Sequence, residues 1–162
     1  YGEKVDLDAV IVDTVRVIKN QFKPVCPQIT TMLNGSLPRI NGNYAGLGQV
    51  AVNLVRNALQ AASEVDGVVR LSTYYDPKGH HVVFSCRDTG PGITRDVRKD
   101  MFKPFFTTKQ VGKGTGLGLY ICHEIIQKHN GCIGIESRPG KGAHFQVKLP
   151  VKPRMLVSPA AH

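Results

Sequence analysis

Residues 68–92 read VVRLSTYYDPKGHHVVFSCRDTGPG. Two runs rich in β-branched and aromatic residues, Val68–Tyr75 and His81–Cys86, flank the turn sequence Asp76-Pro77-Lys78-Gly79, so this stretch predicts a β-hairpin. Cys132–Ser137 and Ala143–Leu149 repeat the plan about Pro139-Gly140-Lys141-Gly142. Around these hairpins the apolar period is helical. Leu7, Val10, Ile11, Thr14, Val15, Ile18 and Phe22 predict a helix over 7–22, capped by Asp6 and ended by Pro24 and Pro27. A second helix runs over about 43–62. At 100° per residue its Leu47, Val50, Ala51, Val52, Leu54, Val55, Ala58, Leu59, Ala61 and Ala62 share one broad face. Thr94–Met101 reads as a short helix capped by Thr94, and Leu117–Asn130 as a longer one with Gly131 just past its end. Residues 28–33 read as a short strand before an Asn34-Gly35 turn. Helices mixed with antiparallel hairpins, without regular strand–helix alternation, predict an α+β sheet with helices on one face.

A chain of 162 residues with 41% hydrophobic content makes one ordinary domain. No apolar run approaches the roughly 18 residues of a membrane helix, and no signal peptide opens the chain, so a cytoplasmic segment without membrane contact is expected. The start at Tyr1 rather than Met reads as a fragment of something longer. Pro153 and Pro159 mark residues 151–162 as a loose tail behind a domain over 1–150. Cys26, Cys86, Cys122 and Cys132 are too scattered for a disulfide framework and read as reduced core residues. His123-Glu124 opens like a zinc motif, but Gln127 occupies the place of the second histidine.

Lys and Arg number 21 against 12 Asp and Glu, a net charge of +9 that favours polyanions. Arg95, Arg98, Lys99, Lys103, Lys109 and Lys113 cluster with Phe102, Phe105 and Phe106 close by, so docking of nucleic acid or an acidic partner is one alternative reading.

Three stretches could carry chemistry. Gly112, Gly114, Gly116 and Gly118 precede an apolar helix, whose N-terminal amides suit phosphate, yet the spacing matches neither a Walker loop nor a dinucleotide fingerprint. Asp88 ends an apolar strand, where a carboxylate can accept from an exocyclic amino group while Gly90 and Gly92 let a purine approach. Asn53 and Asn57 stand one helical turn apart and offer amide oxygens to a hard cation such as Mg2+. Taken singly, a linker, a turn and a polar helix flank explain them as well.

Their order removes that ambiguity. NLVRNALQAA (53–62), DTGPGI (88–93), MFKPFFTTK (101–109) and GKGTGLGL (112–119) resemble the N box, first glycine box, F box and second glycine box of sensor histidine kinases. SRPGKGAHFQVKLP (137–150) resembles the closing hairpin of the same catalytic domain, so the likeness covers roughly residues 5–150. PFFTTK with TGLGL looks most like the branch that includes nitrogen-regulation and dicarboxylate-sensing kinases. The resemblance implies the Bergerat ATP fold shared with DNA gyrase and heat-shock chaperone ATPases: a two-layer sandwich of a mixed, mainly antiparallel sheet with helices on one face. It also implies ATP and Mg2+ as ligands. Carried over by position, Asp88 binds the adenine amino group, Gly90 and Gly92 shape the base pocket, and Asn57 holds Mg2+. Asn53 lies beside the phosphates and Lys109 reaches the terminal ones, these two forming the catalytic pair. Phe105 and Phe106 anchor a lid, and Gly114, Thr115, Gly116, Leu117 and Gly118 let it close on the triphosphate. The stretch Phe102–Gly116 is expected to move when nucleotide is absent.

Asn53 separates kinase from hydrolase. Hydrolytic relatives carry a Glu base there; an amide cannot take a proton from water, so transfer to an imidazole, already nucleophilic when neutral, is favoured over a gyrase-type ATPase. Gln60 stands where many relatives have Lys, with Arg56 as a possible substitute cation. The family's acceptor, a His followed by an acid and then Pro on a helix, is missing. His123-Glu124 has no following Pro, so the acceptor histidine is expected on a separate dimerisation domain. A response regulator downstream, a homodimeric full-length protein and a monomeric fragment complete the expectation.

Overall fold

The computed structural model describes residues 2–21, 28–104, 106 and 117–151. Its elements are β1 (Glu3–Val5), α1 (Leu7–Gln21), β2 (Gln28–Met32), β3 (Ile40–Gly42), α2 (Tyr44–Ser63), β4 (Val68–Asp76), β5 (His81–Asp88), α3 (Arg95–Asp100), α4 (Gly118–Lys128), β6 (Cys132–Ser137) and β7 (Ala143–Pro150). Both expected hairpins form, β4–β5 and β6–β7, each antiparallel. β7 inserts beside β5 rather than at the edge, and β2 pairs with β4 in parallel, giving the order β2-β4-β5-β7-β6. The sheet is therefore mixed and mainly antiparallel.

Alternation along the strands builds the core. Val69, Leu71, Val82, Phe84, Cys86, Phe145, Val147 and Leu149 are buried beneath the helices. α2 lies in the middle of the helix layer, touching α1, α4, β4 and β5, and buries Leu47, Val50, Ala51, Leu54, Val55, Ala58, Leu59 and Ala62. Val52 and Ala61, expected on the same face, are only half-buried, because they lie at its two edges.

The local end signals act where expected. The Asp6 carboxylate accepts from the Asp8 amide at the start of α1, Asn43 accepts from Gly46 at the start of α2, and Thr94 from Val97 at the start of α3. α4 ends in a paired closure in which the Gly131 amide donates to Ile126 O and that of Asn130 to Gln127 O, so Asn130 (φ +60°), not Gly131, takes the left-handed position.

Three features depart from the sequence reading. β1 and β3 pair as a separate two-stranded sheet, too short at three residues each to show periodicity. Cys132 is exposed, because it begins edge strand β6 and shares the helix-free side with its partner Lys148, whereas Cys86 and Cys122 are buried as expected. Val151, assigned to the tail, still donates its amide to His80 O at 2.8 Å; residues 152–162 lie outside the described ones, as does Cys26.

Candidate nucleotide site

Among the described residues, Gly90 and Gly118 meet α2 along the side that carries Asn53 and Asn57. Asn53, Asn57 and Ala61 follow at four-residue steps, which stacks them along one side of a helix over about 12 Å of rise. At one end of this line the Asn53 Nδ2 donates to Gly118 O (3.4 Å) at the start of α4, and the Asn53 side chain also bonds Cys122. At the other end Gly90 sits directly on the Ala61 carbonyl. A methyl group on Gly90 would stand 2.7 Å from that oxygen, so only glycine permits the approach. Asn57 lies between these two contacts. It is half-buried, and no group among the described residues bonds its carboxamide.

Asp88 closes the floor from the sheet side. Asp88 lies on the helix side of β5 with Cys86, whose thiol points at Leu54 O of α2, and is 4% exposed. Its Oδ1 accepts from the Gly90 amide (2.8 Å), and the Ala143 amide donates to the same carboxylate. Burial pushes its pKa up from the ordinary carboxylate value, and those two amide hydrogen bonds partly oppose the rise.

The loop after Asp88 is braced by the turn between β6 and β7, which sequence reasoning treated only as a hairpin end. Ile93 N donates to Ser137 Oγ (2.7 Å), Ser137 Oγ donates to Gly142 O (2.8 Å), and Gly140 N donates to Pro91 O (2.6 Å). Gly92 has φ +82°, and a Cβ there would lie 2.1 Å from Arg138 O. The two glycines in Pro139-Gly140-Lys141-Gly142 were the available sign of this close packing.

α4 begins at Gly118 after Leu117, and among the described residues no side chain hydrogen-bonds to cap it. Phe106 and Phe102 pack against the core, and α3 is tied to the sheet by Arg98 donating to Ile135 O. The Arg56 guanidinium, beside Asn57 in sequence, donates to Gln21 Oε1 (2.7 Å) at the end of α1. Phe105, Lys109, Gly114, Thr115 and Gly116, and with them most of the expected lid, lie outside the described residues.

A residue that sequence reasoning missed fixes the helix layer. His129 is buried; its Nε2 accepts from the Asn43 amide (3.0 Å) and its Nδ1 donates to Ile125 O (2.8 Å), linking the end of α4 to the cap of α2. No pattern in the sequence announces it.

Residues 42–153 match the family model described as histidine kinase-, DNA gyrase B-, and HSP90-like ATPase. The chain belongs to this family. It is 44% identical over 149 residues to sporulation kinase C of Bacillus subtilis, covering 82% of this chain and 34% of that protein. The nucleotide-free catalytic domain of the histidine kinase ThkA superposes with a TM-score of 0.80 at 28% identity, covering 93% of this chain and 95% of that one. Full-length ShkA, solved in complex with AMPPNP, superposes with a TM-score of 0.79 at 28% identity, over 91% of this chain and 30% of that one. ThkA solved with the response regulator protein TrrA shares the fold at 24% identity and a TM-score of 0.75, over 93% of this chain and 42% of that one. This histidine kinase-like ATPase chain thus has the sequence and fold of the catalytic, ATP-binding domain of a sensor histidine kinase. It spans 15–34% of the length of the first curated relatives it matches. Among the described residues no helix is long and apolar enough to cross a membrane.

Proposed function

We propose that the side of α2 carrying Asn53, Asn57 and Ala61 binds ATP, and that the domain transfers the γ-phosphoryl group to a histidine on a separate dimerisation domain. The observation that carries this reading is the single helix face linking the Gly90 loop at one end to the start of α4 at the other. The base belongs at the Asp88 end, where the buried carboxylate accepts from an exocyclic amino group while Gly90 and Gly92 leave room for the ring. The triphosphate belongs at the Asn53 end, against the N-terminal turn of α4, whose dipole favours anions. Lys109, Phe105, Phe106, Gly114, Thr115, Gly116 and Leu117 would complete the enclosure from the lid side.

The chemistry of Asn57 fits magnesium: a neutral hard oxygen on that side of α2, one helical turn from Asn53, suits a cation that keeps most of its waters and shares phosphate oxygens. When bound, that ion supplies charge neutralisation at the phosphates. In the transfer itself a neutral imidazole nitrogen of the acceptor attacks the γ-phosphorus, an N–P bond forms, the P–O bond to the β-phosphate breaks and ADP leaves. Lys109 is assigned to the charge on the terminal phosphates. Asn53, its amide already donating to Gly118 O, positions the phosphate end and cannot act as a base toward water. This favours kinase over hydrolase. The remaining partners follow from the same reading: a response regulator receives the phosphoryl group, and the full-length protein is a homodimer while this fragment is monomeric.

Incubation of the chain with labelled Mg-ATP and an acceptor domain tests the proposal. Label should appear on the acceptor's histidine and not on the chain, with little phosphate released by the chain alone. Sustained phosphate release without an acceptor would establish a hydrolase instead.

A further inference from the structure

The side of the sheet that no helix covers has its own charge pattern. Strand register places Arg70 of β4 directly opposite Arg87 of β5, which in turn stands opposite His144 of β7, so the three form a row across the face. Like charges directly opposed on one face of an antiparallel pair weaken a sheet. No Asp or Glu among the described residues lies within 4 Å of either guanidinium, and the acid of the same row, Glu136, faces His144 instead at 3.6 Å. Arg87 is nevertheless aimed. Its Nη2 donates to His144 Nδ1 (3.1 Å), and His144 Nε2 donates to Ser85 Oγ (2.5 Å). His144 and Ser85 are both more than nine-tenths buried. A buried polar chain therefore fixes one guanidinium and leaves most of its five N–H donors available.

A shallow groove runs past this row, with Thr30, Ser72, Tyr74 and Gln146 adding neutral donors and acceptors. A second groove shares Arg87 and His144 and continues past Asp88, which is buried, and Glu136 to Arg98, Arg138 and Lys141. Arginine and lysine thus outnumber the acids from β4 to the turn between β6 and β7. We propose that this helix-free face docks a carboxylate-rich polypeptide segment of a partner, with Arg70 and Arg87 as its paired anchors. Planar guanidinium forks match carboxylates bidentately. Met32, 78% exposed, and Tyr74, 41% exposed, supply the apolar contacts a polypeptide uses at the groove's edge. Single-stranded nucleic acid needs successive aromatic platforms, and Tyr74 is the one exposed Phe, Tyr or Trp on this face among the described residues.

Fluorescence polarisation of a labelled octaglutamate peptide, titrated with the chain at low and at physiological salt, tests this. Arg70→Gln with Arg87→Gln should weaken binding at least about tenfold, whereas Lys4→Gln with Lys19→Gln, which removes the same charge elsewhere, should leave it within about twofold. The arginine variant removes a repulsive pair together with one hydrogen bond to His144, so it should stay folded and should bind Mg-ATP as wild type does. Equal loss in the lysine variant would reduce the binding to diffuse net charge and overturn the proposal. Tighter binding of a labelled oligothymidylate than of the peptide at the same salt would overturn it in favour of nucleic acid.

Discussion

Asp88→Asn is the sharpest probe of the nucleotide reading. The carboxylate is 4% exposed and accepts from two backbone amides, those of Gly90 and Ala143, so its remaining lone pairs are what a base amino group would meet. Asparagine keeps the shape but turns one acceptor oxygen into a donor. That nitrogen must face either a backbone N–H or the adenine amino group, two donors in opposition. A buried polar group left unpaired costs about 1–3 kcal/mol, which is about tenfold to a hundredfold in affinity. The two alternatives separate by stability. If the nitrogen turns to the backbone, the melting temperature falls; if it turns to the adenine, Mg-ATP affinity falls while the fold is retained. Because burial raises the pKa of Asp88, the native state binds its proton more readily than the unfolded chain does. The stability this group contributes is fully present below the ordinary value of 3.8 and is lost as pH rises through the raised one. Burial disfavours the charged form of this carboxylate, so the fold should tolerate a neutral amide and the loss should appear in binding. Calorimetric titration of wild type and variant with Mg-ATP, paired with thermal melts at neutral pH, reads both quantities. Unchanged affinity in a folded variant refutes the adenine role.

Four further outcomes follow from the same geometry. Asn57→Ala should weaken Mg-ATP binding about tenfold while leaving nucleotide binding in chelator unchanged, a contrast that titration with and without magnesium measures. Gly92→Ala forces a side chain to φ +82° with its Cβ 2.1 Å from Arg138 O, and should cost at least about 2 kcal/mol in denaturant melts. His129→Ala leaves the Asn43 amide without its acceptor, while the residue-129 amide still donates to Ile125 O, and opens a cavity between α2 and α4; a loss of about 2–5 kcal/mol is expected by the same assay. His144 has its pKa lowered, first by burial and then by Arg87, against the opposing pull of Glu136. Its stabilising contribution is present above 6.5 and is lost as pH falls through the lowered value, so thermal melts of wild type should drop more between pH 7.5 and 5.5 than those of His144→Gln.

The legible part of the fold is the part whose periodicity is long. Helices of fifteen and twenty residues and strands of eight or nine repeat their apolar pattern often enough to declare their type. β1 and β3, three residues each, carry too few positions for any period. The pairing of β2 with β4 in parallel is equally silent, because a short strand shows alternation but not direction. At the site, Asp88, Gly90, Asn53 and Asn57 were readable as a set through the order of their motifs. That Asn53 bonds the first residue of α4 and that Gly90 rests on Ala61 were not, since both are contacts across more than 25 residues and depend on how α2 sits on the sheet. His129 was unreadable for the same reason: its partners are one turn back and 86 residues away.

One register decision separates the two surfaces. Arg87 and Asp88 are neighbours in β5, and alternation sends the first to the helix-free face and the second beneath α2. A slip of one residue would bury the guanidinium among Leu54 and its neighbours and expel the carboxylate to solvent, destroying both surfaces at once. The register is fixed on both sides, by Val69 opposite Asp88 on β4 and Ala143 opposite it on β7, and the Ala143 amide binds the carboxylate itself. Gly142 lets the strand start close to Asp88, since a Cβ there would lie 2.1 Å from Asp88 O, while Phe145 fills the core. The proposed nucleotide site and the cationic face therefore share one structural cause, the pairing of β5 with β7. A change that shifts that register should perturb both, while side-chain changes confined to one face, at Arg70 and Arg87 or at Asn57, should perturb only one.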